Sequence, residues 1–225
     1  MANCKKFKRF AVGHMFNCYN RCSKDDEEQN IDASKTHMNY NLKQSNKSQL
    51  DLYHDRLSQV KCLNRKDLNT MCCWVVTIPA ELKAAQKKVQ DDFFKHVYNF
   101  LNNRYGKENC ISAYVHFDQT TPHIHYSFIP VVIDKKKNIE KVSAKDLVNL
   151  RDLKTFHKDL QNYLQSKMQM PLSIITGETK INGNKTIKEL QEESNKLNEE
   201  IEILKKEIQS LKEEKTLLLN RQGKI

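Results

Sequence analysis

The pattern of apolar and polar positions predicts its two most hydrophobic strands in neighbouring stretches, residues 111–116 and 125–133, which are rich in β-branched and aromatic side chains. The polar stretch 119–122 between them contains threonine and proline and predicts a hairpin connection. Other segments with strand or helix spacing are strands at 7–12 and 72–78 and helices at 44–63, 79–105 and 143–165. Strands flanked by helices and joined by a hairpin indicate an α+β fold.

The C-terminal region has a heptad period instead. One heptad position is filled by Ile187, Ser194, Ile201, Ile208 and Lys215, and the other by Leu190, Leu197, Leu204, Leu211 and Leu218. Isoleucine at the a position with leucine at the d position favours a parallel two-stranded coiled coil. We therefore expect a globular domain over residues 1–175, followed over 176–225 by a linker and a coiled-coil helix that forms a homodimer. A single amphipathic helix that packs back on the domain is the alternative.

The excess positive charge is confined to the predicted globular domain. The formal net charge of the chain is +10, yet residues 176–225 carry ten basic and ten acidic side chains. A basic domain attached to a neutral helix suggests a polyanionic partner, with nucleic acid ahead of membrane. A basic cluster near the start of the chain is interpreted either as phosphate contacts or as a solvated end. Its members are Lys5, Lys6, Lys8 and Arg9.

Membrane and secretory signals are missing from the sequence pattern. No stretch approaches the roughly eighteen consecutive apolar residues of a membrane span, and the first ten residues have no apolar signal core behind their charges. The seven cysteines are odd in number and lie mostly in apolar contexts, as reduced intracellular cysteines do. We therefore expect a cytoplasmic protein.

Three histidines lie together at the predicted hairpin. His123 and His125 are two residues apart on one strand and share a face, and His116 on the partner strand can face them. Three neutral imidazoles leave a bound ion its full charge and open coordination positions, which suits a catalytic site. We predict a site for a divalent cation, Mn²⁺ or Mg²⁺. Each histidine alone would be an ordinary polar strand residue, so the prediction depends on the group.

Two motifs carry a resemblance to a known family. They are the run His-hydrophobic-Asp-x-x-Thr-Pro-His-hydrophobic-His at 116–125 and the segment DASKTHMNY at 32–40. Together they resemble the Mob/Pre plasmid mobilisation and recombination relaxases, the MobV group of the HUH endonucleases. Shorter elements that add to the resemblance are 64–67, 104–109 and 143–146. The resemblance extends over about residues 5–170, and a basic catalytic domain followed by a coiled coil is also similar to this family.

The resemblance implies a fold and an activity. The expected fold is an HUH-type antiparallel sheet with flanking helices. Relaxases of this family bind a plasmid origin as a DNA hairpin, nick one strand by metal-assisted transesterification, and stay attached to the 5′ phosphate. Their metal ligands correspond to the three histidines at 116, 123 and 125. For Asp118, which follows the first of them, we consider two roles: orienting a ligand imidazole, or capping the hairpin turn.

Two positions depart from the family pattern. Where the family has a histidine that can serve as nucleophile, three residues before the arginine that matches Arg21, this chain has Cys18. Where many members have a glutamate after the aspartate, this chain has Gln119, which cannot accept a proton. The identity of the nucleophile is therefore open. The candidates are Cys18, Tyr19 and Tyr40.

Several side chains are candidates for contacts with single-stranded or hairpin DNA. They are Arg21, Lys35, Arg65 and Lys145 for phosphates, and Tyr40 and Tyr105 for stacking on bases or binding phosphate. Each also has a structural alternative, as a surface charge or as a packed aromatic ring. Two other functions are consistent with the residues. One is a relaxase-like protein that occupies the origin and represses or recruits with little or no nicking, and the other is a metal hydrolase unrelated to DNA.

Overall fold

The computed structural model describes residues 2–22, 31–175, 195–196 and 199–212. The chain divides into two compact units, Met1–Thr176 and Gly177–Ile225. The first unit contains strands and helices in alternation, and the described part of the second unit is helical. None of the described helices is both long and apolar enough to cross a membrane.

A five-stranded antiparallel sheet lies at the centre of the first unit, with the strand order β1-β3-β5-β4-β2. The strands are β1 Ala2–Lys8, β2 Tyr40–Asn41, β3 Asn69–Thr77, β4 Cys110–His116 and β5 His123–Phe128. The central strands are almost wholly buried because helices cover both faces of the sheet. The predicted α+β fold with an antiparallel sheet and flanking helices is confirmed.

Five helices pack on the sheet unit. They are α1 Val12–Tyr19, α2 Gln49–Gln59, α3 Lys87–Tyr105, α4 Ala144–Leu147 and α5 Leu150–Met168. The apolar faces of α3 and α5 bury one side of the sheet around Trp74, whose ring stacks on Phe156 with 3.4 Å between centroids. The apolar faces of α1 and α2 bury part of the other side, around Met71 and Ile111. Because side chains alternate along a strand, β3 and β4 contribute to both cores.

The strand register brings the three histidines onto one face of the sheet. His123 pairs with His116 on β4 and with Thr77 on β3, and His125 pairs with Tyr114 and Val75. The intervening residues of β5 point into the core that α3 and α5 cover. The histidines therefore lie on the side of the sheet that α1 and α2 pack against.

The predicted strand 125–133 is two strands in the structure. β5 ends at Phe128, and a separate two-stranded sheet follows, formed by β6 Val131–Asp134 and β7 Ile139–Val142. Pro130 lies between β5 and β6, and proline cannot donate a ladder hydrogen bond. The prediction of one continuous strand was wrong for this reason.

Four other predicted elements have different bounds. The predicted helix 79–105 is a 3₁₀ helix at Ala80–Leu82 followed by α3, and the predicted helix 143–165 is α4 followed by α5. The predicted strand 7–12 was wrong, because β1 occupies Ala2–Lys8 and the chain then turns through a 3₁₀ helix at Arg9–Ala11 into α1. The predicted helix 44–63 is confined to α2. Its start is set by Ser48, whose hydroxyl accepts a hydrogen bond from the backbone N–H of Asp51.

The second unit is helical over residues 199–212. The predicted heptad residues Ile201, Leu204, Ile208 and Leu211 lie in this helix and expose 47–64% of their surface. The other predicted heptad residues lie outside the described residues; they are Ile187, Leu190, Ser194, Leu197, Lys215 and Leu218. The described part thus presents an apolar stripe, and the homodimer remains a prediction.

Candidate metal centre

The three histidines of β4 and β5 form the candidate centre. One ring nitrogen from each of His116, His123 and His125 lies within 4.8 Å of the others. The Nε2 atoms of His123 and His125 are 3.0 Å apart. His116 and His123 are buried and His125 is half-buried, so the cluster has one partly open side. The antiparallel register, rather than any loop, fixes the relative positions of these side chains.

Each imidazole has a partner on the nitrogen that faces away from the cluster. The Nε2 atom of His116 donates to the carbonyl oxygen of Tyr19 at 2.9 Å, and the Nδ1 atom of His123 donates to the carbonyl oxygen of Thr121 at 2.9 Å. Because a carbonyl can only accept, these contacts fix the proton on the outer nitrogen and leave the inner one with its lone pair. The Nδ1 atom of His125 lies 3.9 Å from the sulfur of Cys73.

One buried nitrogen of the cluster has no hydrogen-bond partner among the described residues. It is Nδ1 of His116, whose side chain is fully buried. A buried polar atom without a partner is costly unless something binds it. Two other inner nitrogens, on His123 and His125, face one another at 3.0 Å. The donor set is therefore consistent with a divalent cation held by three neutral imidazoles.

The electrostatic setting keeps the imidazoles uncharged. Burial lowers the pKa of His116 to about 4, and the nearby positive charge of Arg21 lowers it as well. Burial also lowers the pKa of His123, and it lowers that of His125 strongly. Since a pKa below neutrality leaves imidazole in the neutral form, all three rings are ligands rather than cations at neutral pH.

The C-terminal end of α1 covers the cluster from one side. The ring of Tyr19 stacks on His125 with 4.6 Å between centroids, and its backbone carbonyl holds His116. The Tyr19 hydroxyl is within 3.5 Å of the Ser127 hydroxyl, and the side chain is 1% exposed. Burial raises its pKa well above the ordinary value. The phenol is thus enclosed and protonated, which argues against the predicted role of Tyr19 as nucleophile.

Cys18 is paired with a histidine that the sequence analysis did not single out. The sulfur of Cys18 lies 3.6 Å from Nε2 of His14, one helical turn earlier on α1. Cys18 is buried and His14 is exposed. The i, i+4 spacing of the two residues was a usable signal, but it has meaning only on a helix, and no helix was predicted over residues 12–19.

Asp118 is the hub of a buried network beside the histidines. It accepts two hydrogen bonds from the guanidinium of Arg21 at 2.8 and 2.6 Å, one from the Asn39 amide at 2.6 Å and one from the Thr36 hydroxyl at 3.2 Å. Its own backbone carbonyl accepts from the N–H of Asp32 at 2.7 Å. The carboxylate ties α1 and the segment 32–39 to the end of β4, and its charge raises the pKa of His116. The two predicted roles of Asp118, at a ligand imidazole and at the hairpin turn, remain predictions.

The network holds Asp118 in its charged form. Burial by itself raises the pKa of this carboxyl, but the hydrogen bonds from Arg21 and Asn39 outweigh burial and bring the pKa to about 2. The Asn39 side chain also accepts from the N–H of Phe117 at 2.7 Å. Arg21 adopts a left-handed backbone conformation with φ of 56°, and its side chain is 10% exposed. Its guanidinium is therefore committed to Asp118 rather than displayed to a DNA phosphate.

Tyr40 lies on the other face of the sheet. It pairs with Val115, and its ring packs with the core on the side of α3 and α5. Its hydroxyl donates to Asp91 at 2.6 Å, and burial followed by this contact raises its pKa. This placement argues against the predicted attack of Tyr40 on a phosphate at the histidines, because directly paired residues share a face and Val115 points away from the cluster.

Tyr105 is a packed core residue. It is 4% exposed, its ring stacks on Phe128, and its hydroxyl donates to Asp152 and accepts from the indole of Trp74, both at 2.9 Å. Because the Tyr105 hydroxyl is used inside the fold, the structure favours the packed aromatic ring over the predicted DNA contact.

The three lysine and arginine candidates lie at different places. Lys35 is exposed on the 3₁₀ helix Ala33–Met38, where it pairs with Asp32 at 2.7 Å. Arg65 is exposed in the loop before β3 and pairs with Asp67. Lys145 is exposed on α4, whose Ala144 enters the core opposite the histidines. Of the three, only Lys35 belongs to a segment that the Asp118 network ties to the metal centre.

Most of the chain matches one known protein family. The profile of Mob_Pre, described as a plasmid recombination enzyme, matches residues 1–171. A plasmid recombination enzyme type 3 of Staphylococcus aureus is 29% identical over 141 residues, which are 60% of this chain and 33% of that protein. A plasmid recombination enzyme of Streptococcus agalactiae is 26% identical over 170 residues, 73% of this chain and 33% of the relative. The chain thus aligns with about a third of the length of these curated relatives.

Solved structures with the same fold are relaxase domains. The MobM relaxase domain bound to plasmid pMV158 oriT DNA, a Mn-bound crystal structure at pH 6.8, has a TM-score of 0.71 at 24% identity. The similarity covers 85% of this chain and 97% of that chain. A second Mn-bound complex, at pH 4.6, has a TM-score of 0.70 at 25% identity and covers 85% and 98% of the two chains.

Proposed function

Because the chain belongs to the Mob_Pre family of plasmid recombination enzymes, we propose that it is a relaxase that binds a plasmid origin and nicks one strand of it. The observation that carries the proposal is the histidine cluster, in which outer hydrogen bonds hold two imidazoles and one buried inner nitrogen lacks a partner among the described residues. Such a donor set on a strongly basic chain suits a divalent cation and a phosphodiester substrate.

His116, His123 and His125 would hold the cation, Mn²⁺ or Mg²⁺. When bound, a divalent cation polarises the scissile phosphate and offsets the charge on the leaving 3′ oxygen. The chain's own residues fix the position of α1 beside the cluster. Tyr19 packs against one side of the cluster, and the Arg21–Asp118 pair holds the end of α1 close to β4.

We assign the attack to Cys18 with His14 as its base. The imidazole is within reach of the thiol at 3.6 Å, as a nucleophile and base require. His14 takes the thiol proton, and the sulfur attacks phosphorus. An S–P bond forms while the P–O3′ bond breaks, the proton stays on His14, and the leaving 3′ oxygen takes a proton from solvent water. The products are a free 3′ hydroxyl and a 5′ phosphate joined to Cys18.

A second function is favoured by two observations. Cys18 is only 8% exposed, and Gln119 has no carboxylate to act as a base. Both are consistent with a protein that binds origin DNA and a cation without nicking, and so represses or recruits.

A nicking assay separates the two functions. Supercoiled DNA carrying the origin of the replicon that encodes the chain is incubated with the full chain and Mn²⁺, and covalent adducts are digested and mapped by mass spectrometry. We expect relaxed DNA and an adduct on Cys18, both lost in Cys18→Ala and retained in Tyr40→Phe. An adduct on another residue contradicts the Cys18 assignment. If the wild-type protein shifts the mobility of the DNA but gives no relaxed product, and a Cys18→His variant does give relaxed product, the origin-binding function is supported instead.

Salt dependence tests whether DNA is the substrate at all. A metal hydrolase unrelated to DNA predicts activity that changes little with salt, whereas phosphate contacts are lost steeply as salt rises. Among the predicted phosphate contacts, Lys35 is exposed and belongs to the segment tied to Asp118. We expect Lys35→Ala to reduce the salt slope of origin binding by about one.

The proposal of a homodimer depends on the apolar stripe of the second unit. Ile201, Leu204, Ile208 and Leu211 are exposed at a and d positions of the helix 199–212. We propose that two such helices pair in parallel. Analytical ultracentrifugation of the full chain and of a chain ending at Ile175 tests this, with a dimer expected only for the full chain. A dimer in both would place the contact elsewhere.

A further inference from the structure

A second basic surface lies at the end of the sheet remote from the histidines. It is formed by residues 8–10 and 61–67, and we call it the distal basic surface. These two segments contain five basic side chains and one acidic side chain. Lys8 pairs with Asn69 at the start of β3, whereas His123 pairs with Thr77 at its end. Eight residue steps along β3 separate the two places by about 26 Å.

Contacts among the described residues hold the two segments together. The guanidinium of Arg9 donates to the sulfur of Cys62 at 3.4 Å. The pKa of Asp67 is lowered mainly by its ion pair with Arg65 and in smaller part by the charge of Lys8, so Lys8 lies close to that pair. The backbone of Lys61 is anchored in turn by hydrogen bonds with Glu140 and Val142. The surface is therefore a fixed part of the fold.

Phe10 is the most exposed large apolar residue in the described part of the chain. It is 80% exposed on the 3₁₀ helix Arg9–Ala11, directly after Lys8 and Arg9 in the chain, and Leu63 of the other segment is 51% exposed. Exposed aromatic rings interleaved with cations are the combination that single-stranded nucleic acid requires, because bases stack on the ring while phosphates meet the charges. A duplex keeps its bases stacked inside, so only its phosphates can contact this surface.

We propose that the distal basic surface binds a single-stranded segment of the DNA whose nick site lies at the histidines, with a base stacked on Phe10. The inference rests on the proposed function in one respect, that DNA is the substrate. It assigns Arg65, which lies far from the metal centre, to this second contact. A strand that touches both places follows the sheet for about 26 Å, so the domain holds DNA at two separated points.

Fluorescence anisotropy with labelled oligothymidine of about 30 nucleotides, in EDTA so that nothing is cleaved, tests the contact in the full chain. We expect Phe10→Ala to weaken binding about tenfold, since stacking of one base on an aromatic ring has roughly this effect. Phe10→Trp should bind at least as well as wild type. The matched control is Leu150→Ala, which removes an equally exposed apolar residue, 69% exposed, at the first turn of α5 and should bind like wild type.

A duplex of the same length and a salt titration complete the experiment. Duplex binding should not depend on Phe10, and Lys8→Ala with Arg9→Ala should reduce the salt slope by about two. Equal binding by wild type and Phe10→Ala overturns the inference and leaves the proposed function standing. Failure of the wild-type protein to bind any DNA overturns both. The inference would also be overturned if Phe10 were needed for cosedimentation with anionic vesicles and not for oligothymidine binding. The surface would then bind a membrane.

Discussion

The metal centre consists of two halves that are built in different ways. His123 and His125 lie on β5, which has six ladder pairs with β3 and six with β4, and His116 lies on β4. The facing half consists of the end of α1, where Tyr19 contacts His116 and His125, and of the short irregular segment 32–39. One buried carboxylate, Asp118, joins both of these to β4. The strand half is therefore supported along whole ladders, whereas the Asp118 carboxylate binds both parts of the facing half at once.

The largest expected effect is on the strand half. His125→Ala removes a ligand without touching the ladder, so the fold should persist while Mn²⁺ affinity falls by at least about 100-fold. Isothermal titration with Mn²⁺ and circular dichroism measure the two quantities. The control is His54→Ala, an exposed histidine on α2. Unchanged Mn²⁺ affinity in His125→Ala would contradict the assignment of the three histidines as a metal centre.

The next effect is on the facing half. Asp118→Asn keeps the shape of the side chain but leaves the Arg21 guanidinium, 10% exposed, without its charge partner. We expect a loss of about 3 kcal/mol in the free energy of unfolding, because breaking a buried ion pair leaves an uncompensated charge. Urea unfolding measures this loss. The control is Asp32→Asn, whose side chain is 45% exposed. A loss no larger than in the control would show that Asp118 is not the tether between the halves.

The smallest effect sharpens the role of Tyr19. Tyr19→Phe keeps the ring that stacks on His125 and the carbonyl that holds His116, and it removes the contacts of the hydroxyl with Ser127, at 3.5 Å, and with Cys73. We expect a loss of at most about 1 kcal/mol in stability and no change in Mn²⁺ affinity or nicking. Tyr53→Phe is the matched control, since its hydroxyl donates to Thr70 within the same core. Abolished nicking in Tyr19→Phe alone would return the phenol to consideration as the nucleophile.

The sequence by itself determined the hairpin and its histidines. Side chains on a strand alternate with a fixed period, so the spacing of His123 and His125 and the position of His116 were enough to predict one cluster. The family motifs added the antiparallel sheet with flanking helices, and the matching fold was confirmed. These features depend on local periodicity, which can be read from one short stretch of chain.

Only the tertiary structure decided what faces the histidines. The contacts of Asp118 with Arg21 and Asn39 join residues 97 and 79 positions apart, and no local period encodes such pairs. The side of the sheet on which Tyr40 lies depends on its pairing with Val115, which no spacing reveals. Tyr105 was likewise buried by partners on β3 and α5 that its own neighbours do not specify. Metal ligands on adjacent strands are thus predictable from sequence, whereas groups brought in by long-range packing are not.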